Sequence, residues 1–475
     1  MKLQGSRPGD QRLRIELTKP RDYHVAAPTR IRRPPPPPAL ILVVGFAVLI
    51  VIGTIILSLP ISSASEAWTP PLDALFTATS AVCVTGLVVV DTGTYWSPFG
   101  QVVILALIQI GGFGFMTGST LFLFLLIGRR TGLRDRMLVQ ASTGVLDLGS
   151  VTTLVKRIAL FTLICEGAGA AFLTAAFLAR SHDIVESIWW GIFHGISAFN
   201  NAGFDLIGGF RSLTGFADDP FVLVPIGVLI VLGGLGFAIV GDVVGKRHWR
   251  MLALETKVVL LSSLGLLTVG AMAIGILEWT NPATLGAMPE AQRPLNALFE
   301  AATLRTAGFS ALDTGALTSA SLFVVMALMF IGGASGSTAG GIKVNTFSML
   351  LIAIVSTARG RPSAEAFGRR LPHILIFRAL SVALLSIAAV FVVALALEVT
   401  APAVSFVQAL FEAVSAVGTV GASTGITRQL PDPAQLILVP AMFLGRLGPL
   451  TLVLALTARA RPIAYRPAVE SMRIG

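Results

Sequence analysis

Four glycine-centred turns recur along this 475-residue chain, each set between apolar stretches: VCVTGLVVVD around Gly86, FNNAGFDLIG around Gly203, LRTAGFSALD around Gly308 and VGTVGASTGI around Gly421. The residues entering each glycine are Val84-Thr85-Gly86, Asn201-Ala202-Gly203, Thr306-Ala307-Gly308 and Thr419-Val420-Gly421. The chemistry these segments offer is that of the main chain. A cation crossing a bilayer must exchange its water for fixed oxygens, and a ring of backbone carbonyls supplies them without a charged or bulky side chain. Aiming successive carbonyls to one side demands backbone angles that glycine adopts readily. Glycine costs about 1 kcal/mol in a helix interior, so its return at one offset in four places needs a reason. The alternative reading is four tight turns that merely close short helices.

The elements that must position these turns follow from composition. Apolar residues make up 54% of the chain and charged residues 13%, with a mean hydropathy of +0.81. A soluble domain of this length needs far more polar surface, so the chain reads as an all-α polytopic membrane protein. Candidate spans lie near residues 39–60, 101–128, 154–179, 220–245, 256–278, 318–357, 373–398 and 434–457. Each reaches the roughly 20 apolar residues that a bilayer core requires. Between the two spans of each pair sits a segment of about 12–15 residues, too short to cross and so a re-entrant candidate.

The four units share more than hydropathy. Phe76, Phe193 and Phe411 stand ten residues before their glycines, and Ser80, Ser197 and Ser415 stand six before; Phe299 and Thr303 take those places in the third unit, each one residue closer. The second span of each unit carries a small-residue break: Gly111-Gly112-Phe113-Gly114, Gly233-Gly234-Leu235-Gly236, Gly332-Gly333-Ala334-Ser335 and Gly445-Arg446-Leu447-Gly448. An internal repeat at two places per unit implies helix–re-entrant loop–helix units packed pseudo-fourfold about one axis. The expected organisation is a tail at 1–38, repeats at 39–136, 150–250, 251–360 and 361–460, and a second tail at 461–475.

The net charge of +10 is explained by topology. Most of the 35 Lys and Arg fall in the two tails and in the loops that share their side, whereas the other side, re-entrant segments included, holds Arg180, Arg211, Arg293, Arg305 and Arg428 among acids such as Asp91, Asp205 and Asp313. The positive-inside rule then places both termini in the cytoplasm, and the charge is not read as a nucleic-acid footprint. The proline run Pro34–Pro38 reads as a stiff spacer. Two cysteines, Cys83 and Cys165, imply no disulfide framework. The five histidines have no local metal-ligand spacing, which argues against an integral-membrane enzyme.

Two further features stand out. Residues 318–357 are too long for one span, and their centre, Gly332 to Gly341, is a poor helix former. Two helical pieces joined by an irregular loop at membrane depth is the expectation, with that backbone facing water or protein. Arg446 replaces a glycine of the repeated break in mid-span, at a cost of about 2.5–3.5 kcal/mol unless it faces the bundle interior with a partner. Glu300 and Glu412, each directly after the repeat's Phe, are placed to brace the N–H groups of the turns from behind, with direct contact to the ion as the alternative, and Glu166 is a further membrane-embedded carboxylate.

The four turns, GASGSTAGGIK at 333–343 and GRLGPLT at 445–451 together resemble the Trk/Ktr/HKT superfamily of potassium transporters over about residues 40–460. With its first span beginning near residue 39, the chain is most similar to a Ktr-type membrane subunit. The resemblance implies a cytoplasmic-membrane pore for K⁺ uptake, its selectivity filter formed by the four glycine turns. It also implies an intramembrane gate that includes Gly336, Ser337, Thr338, Gly340, Gly341 and Lys343, with Arg446 holding the loop or lowering ion occupancy. Glycine at all four filter positions is associated, in the plant branch, with K⁺ over Na⁺. Partners implied are a second copy of the chain and a cytoplasmic ring of nucleotide-binding regulatory subunits; no cofactor is bound covalently, and Na⁺ dependence stays open. Thr419-Val420-Gly421 also opens the filter sequence of potassium channels, but no turn has the full TVGYG, so fewer ion sites are expected. Readings left alongside are an alternating-access symporter, disfavoured because all four units run in one direction, and a Na⁺-permeable member of the same superfamily.

Overall fold

The computed structural model describes residues 38–130, 148–180 and 183–448. The basic tail up to Pro37, most of the basic cluster at 129–136 and everything from Pro449 onward, including the end of the GRLGPLT motif, lie outside the described residues. Each expected span coincides with helix: Pro38–Ser58, Pro98–Arg130, Leu148–Ala179, Pro220–Lys246, Leu254–Glu278, His373–Thr400 and, as far as it is described, Asp432–Leu447. The long segment of the third unit is two helices, Ser319–Met329 and Val344–Ala358, with no helix between them. Among the described residues five helices are long and apolar enough to cross a membrane.

Four short helices follow the first span of each pair: Pro71–Cys83, Ile184–Phe199, Arg293–Thr303 and Phe406–Gly418. At 1.5 Å per residue they are about 16–24 Å long, short of the roughly 30 Å of a hydrocarbon core. Their starts are written in the sequence. Pro71 opens the first, the Asp183 carboxylate caps the second through Val185 N–H at 3.0 Å, and Ser405 with Gln408 forms a capping box on the fourth. The repeated Phe76, Phe193, Phe299 and Phe411 are buried on these helices and anchor them to the bundle.

Each short helix also packs on the second span of the preceding unit. Ile184–Phe199 lies against Pro98–Arg130, Arg293–Thr303 against Pro220–Lys246, Phe406–Gly418 against Ser319–Met329, and Pro71–Cys83 against Asp432–Leu447. The last of these contacts joins the end of the chain to its beginning.

The repeated small residues of the second spans do not all act as breaks. Pro98–Arg130 runs as one helix through Gly111-Gly112-Phe113-Gly114, whereas Pro220–Lys246 is kinked at Gly236 (φ 75°, ψ 164°) and Asp432–Leu447 stops before Gly448 (φ 80°). What three units share is close approach. A Cβ on Gly111, Gly233 or Gly445 would collide with the carbonyl oxygen of Val82, Phe199 or Val417, in each case the residue four before the turn glycine. Small residues let helices meet closely where lipid removes the hydrophobic drive for association. A feature without sequence signal is a hairpin at the start of the fourth unit, Glu365–Ala366 with Arg369–Arg370, turned by Phe367 (φ 51°) and Gly368 (φ 73°).

Candidate functional site

The four turns have one backbone pattern. Each glycine has positive φ (89° at Gly86, 70° at Gly203, 75° at Gly308, 90° at Gly421), and so has the non-glycine residue two before it (Val84 55°, Asn201 58°, Thr306 78°, Thr419 49°). Thr85, Ala202, Ala307 and Val420, in between, do not. Alternating hand from residue to residue turns successive carbonyls toward the same side, the arrangement a carbonyl-lined ion site requires. The short helices end within the five residues before each glycine, so their C-terminal partial negative charge falls at the turns and favours a cation there.

The turns meet one another in a closed cycle. A Cβ built on Gly86 would lie 3.2 Å from Gly203 Cα; on Gly203, 3.3 Å from Gly308 Cα; on Gly308, 3.0 Å from Gly421 Cα; and on Gly421, 2.9 Å from Gly86 Cα. In each case the carbonyl oxygen of the residue before that neighbouring glycine (Ala202, Ala307, Val420 and Thr85 in turn) is closer still. All four glycines line a single cavity of about 800 Å³, whose other walls come mostly from residues that follow the turns, among them Phe210, Asp313, Thr424 and Arg428, with Met288 and Gln408 from before them.

The repeated hydroxyls hold the turns from behind. Gly86 N–H and Gly421 N–H donate to Ser80 Oγ and Ser415 Oγ, both at 3.1 Å, and Ser197 Oγ donates to the Phe204 carbonyl at 2.8 Å. The third unit, one residue shorter, does without the hydroxyl: Gly308 N–H donates to the Thr303 carbonyl at 3.2 Å, which also accepts from Ala307 N–H at 2.8 Å. Glu300 Oε1 accepts from Ala311 N–H (2.8 Å), Leu312 N–H (3.0 Å) and Ser310 Oγ (3.2 Å). Glu412 Oε1 accepts from Ser423 Oγ and, at 3.1 Å, from Thr427 Oγ1. Both carboxylates thus brace the stretch after the glycine, whereas the N–H groups of the turn itself, the expected partners, bond elsewhere. Glu166 accepts from Gln109 Nε2 (3.1 Å) and Asn200 Nδ2 (2.9 Å), tying the second turn to the first unit. His194 is buried, with Nε2 accepting from Leu206 N–H at 3.3 Å and Nδ1 left to donate to the Trp190 carbonyl at 2.8 Å, a packing role.

Opposite the cavity, residues 330–343 press against the turns. Thr338 Oγ1 donates to the Phe199 carbonyl (3.0 Å) and lies 3.2 Å from Asn201 Oδ1, and Thr338 N–H donates to the Gly233 carbonyl at 3.2 Å. Gly340 abuts the Thr419 side chain so closely that no Cβ fits, and a Cβ on Gly341 (φ 59°) would stand 3.0 Å from the Gly418 carbonyl. A Cβ on Gly236, at the kink, would meet Gly336 O at 3.0 Å and Ser337 Cα at 2.9 Å. Arg446, fully buried, donates through Nη1 to the Thr338 carbonyl and through Nη2 to the Gly111 carbonyl at 3.1 Å. Lys343 Nζ donates back to the Ala339 carbonyl and lies 3.5 Å from that of Gly340. Every residue proposed for the turns and the loop is therefore brought to one place.

Arg305 is different. Charge counting groups it with the re-entrant segments of the outer side, and its guanidinium runs behind the third turn, where Nη2 donates to Ser263 Oγ (3.2 Å) and to the Gly332 carbonyl (3.4 Å), at the start of the loop. Its position, three before the turn glycine, is taken by Cys83, Asn200 and Gly418 in the other units. That offset was the available signal, since it holds one charged residue among four.

Long apolar helices, with short helices that end at four glycine turns, define a mostly helical protein of the polytopic membrane class. The chain belongs to the TrkH family of cation transport proteins, whose profile matches residues 36–461. It is 41% identical over 413 residues to the Ktr system potassium uptake protein B of Bacillus subtilis, covering 87% of this chain and 91% of that protein. It is 36% identical over 436 residues to the potassium/sodium uptake protein NtpJ of Enterococcus hirae, covering 91% and 96%. Its fold matches the crystal structure of the potassium transporter TrkH from Vibrio parahaemolyticus with a TM-score of 0.69 at 19% identity, over 89% of this chain and 85% of that one.

Proposed function

We propose that this chain takes up potassium across the cytoplasmic membrane through a single-chain, pseudo-fourfold pore. The closed cycle of glycine turns with alternating φ carries the reading, because main-chain carbonyls aimed at one axis serve a dehydrated cation and little else. In it Val84 to Gly86, Asn201 to Gly203, Thr306 to Gly308 and Thr419 to Gly421 form the selectivity filter. The 800 Å³ cavity is the outer vestibule. The 330–343 loop, with Gly336, Ser337, Thr338, Gly340, Gly341 and Lys343, is the gate, fastened by Arg446. Potassium is cargo, conducted down its electrochemical gradient, and both termini face the cytoplasm. The name of the Bacillus subtilis relative, part of a Ktr system, supports a regulatory partner on the basic inner face, taken here as a nucleotide-binding ring acting on a dimer.

Potassium or rubidium uptake in potassium-uptake-deficient cells expressing the chain tests the reading. Uptake that prefers K⁺ over Na⁺, and loses that preference in Gly421→Ser, is the expected result. Absence of cation flux even with a regulatory partner supplied overturns it. The potassium/sodium name of the Enterococcus hirae relative favours one second reading, a filter that also passes Na⁺. Equal uptake of both ions by the parent chain selects that one.

A further inference from the structure

Two cations sit at the loop without an acid to neutralise them. None of the ion pairs among the described residues involves Lys343 or Arg446. Arg446 is 1% exposed, its Nε has no hydrogen-bond partner, and its hydrogen bonds go to neutral carbonyls. Lys343 likewise has only the carbonyls of its own loop. Like charges held close together at low dielectric repel strongly, so something must make their joint presence tolerable.

Both point at the same ring. Arg446 Cζ lies 4.5 Å and Lys343 Nζ 4.9 Å from the centroid of Phe115, which is 5% exposed. Phe115 stands one helical turn beyond Gly111, whose carbonyl accepts from Arg446, so a single stretch of the Pro98–Arg130 helix presents both the carbonyl and the π face. The negative face of an aromatic ring attracts cations, most strongly where water is excluded. The three residues come from three units: Phe115 from the first, Lys343 from the third and Arg446 from the fourth.

We propose that Phe115 is a positioning residue for the gate, its ring holding Lys343 and Arg446 together so that the loop stays seated beneath the turns. The proposal rests on the gating reading above. Opening draws Lys343 or Arg446 away from the ring, so the strength of the ring's attraction sets the closed–open balance. Losing one desolvated cation–π contact corresponds to roughly a thirtyfold change in that balance. Phe115 touches no transported ion in this scheme, so ion preference is unaffected.

Phenylalanine analogues carrying one, two and three ring fluorines at position 115 weaken the ring's negative face while nearly keeping its shape. The full chain, in proteoliposomes without any regulatory partner, is expected to leak Rb⁺ progressively faster along the series, up to roughly thirtyfold. K⁺ over Na⁺ preference should be unchanged, and the gradient should vanish in a Lys343→Gln, Arg446→Gln background. A packing role alone would leave the isosteric series flat, and a flat series overturns the proposal. A gradient that persists without the two cations overturns the assignment to them. A chain lacking residues 336–340 separates the two layers. If its leak does not rise, the gating reading itself has failed. If its leak rises while the fluorine series stays flat, only the role of Phe115 has.

Discussion

Replacing Gly421 by alanine puts the cyclic arrangement of turns to its most direct test. The new Cβ faces two separate costs. At φ 90° an L side chain is strained, by about 1–2 kcal/mol. It would also stand 2.9 Å from Gly86 Cα, with the Thr85 carbonyl oxygen nearer still. Ordinary carbon–carbon contact is about 3.5–4.0 Å, so the first turn must yield by roughly 0.5–1 Å, and overpacking of that kind costs about 1–3 kcal/mol. Together these reach about 2–5 kcal/mol, whereas a tenfold change in ion preference corresponds to about 1.4 kcal/mol. The relaxation moves a carbonyl that is read as an ion ligand, so Gly421→Ala should lose at least an order of magnitude in K⁺ over Na⁺ preference. Gly425 supplies the control. It has the same φ of 90°, but its Cβ would have nothing within 4 Å, so Gly425→Ala carries the strain without the displacement. Competitive Rb⁺ and Na⁺ uptake by matched proteoliposomes is the assay. If Gly421→Ala keeps the parental preference, or if Gly425→Ala loses it equally, steric contact between turns is not what matters and the ring reading is refuted.

Three other outcomes are expected. The Ser80→Ala, Ser415→Ala double variant leaves Gly86 N–H and Gly421 N–H without acceptors, at about 1 kcal/mol each, and should lower ion preference several-fold in the same competitive uptake assay while Rb⁺ flux persists. Glu300→Gln weakens a charge-assisted brace that receives two N–H groups and a hydroxyl. A loss of about 1.5–3 kcal/mol should appear as a lower melting temperature in detergent, and an unchanged melting temperature would deny the brace any weight. Arg305→Lys gives up the planar donor shared by Ser263 Oγ and the Gly332 carbonyl. It should change Rb⁺ flux several-fold at constant ion preference, and loss of preference without a change in flux would place Arg305 with the filter rather than the loop.

Much of this architecture was legible because local rules and global packing agree. The spacing of Phe76, Phe193 and Phe411 from their glycines marks the buried face of each short helix, and the place of Glu300 and Glu412 directly after the repeat's Phe foretells a buried carboxylate behind the turn. Where sequence reasoning went astray, one residue pattern served two physical ends. A glycine pair reads equally as a bend or as a place of close approach. Gly111 proves to be the second and Gly236 both, and what decides is the neighbouring chain, the end of a short helix at Val82 for the one and the loop at Gly336 and Ser337 for the other. Counting charges by side left the reach of Arg305 unread, because counting knows where a Cα falls but not which way a long side chain runs. The Gln109–Glu166–Asn200 contacts had no sequence signal, since they join three helices across as many as 91 positions. The two-residue strands of the hairpin are too short to show any periodicity.

The four turns that close on one another are written in one polypeptide, and they are not alike. Val-Thr-Gly, Asn-Ala-Gly, Thr-Ala-Gly and Thr-Val-Gly stand side by side, backed in turn by Cys83, Asn200, Arg305 and Gly418. In an assembly of four identical chains every substitution is repeated four times, and each change to the ring is drastic. Here a substitution alters one quarter of the ring and leaves three quarters to hold its shape. If the turns are the filter proposed above, preference among ions is set one turn at a time, and the turn that touches the loop through Arg305 can differ from the turn tied to its neighbours through Asn200.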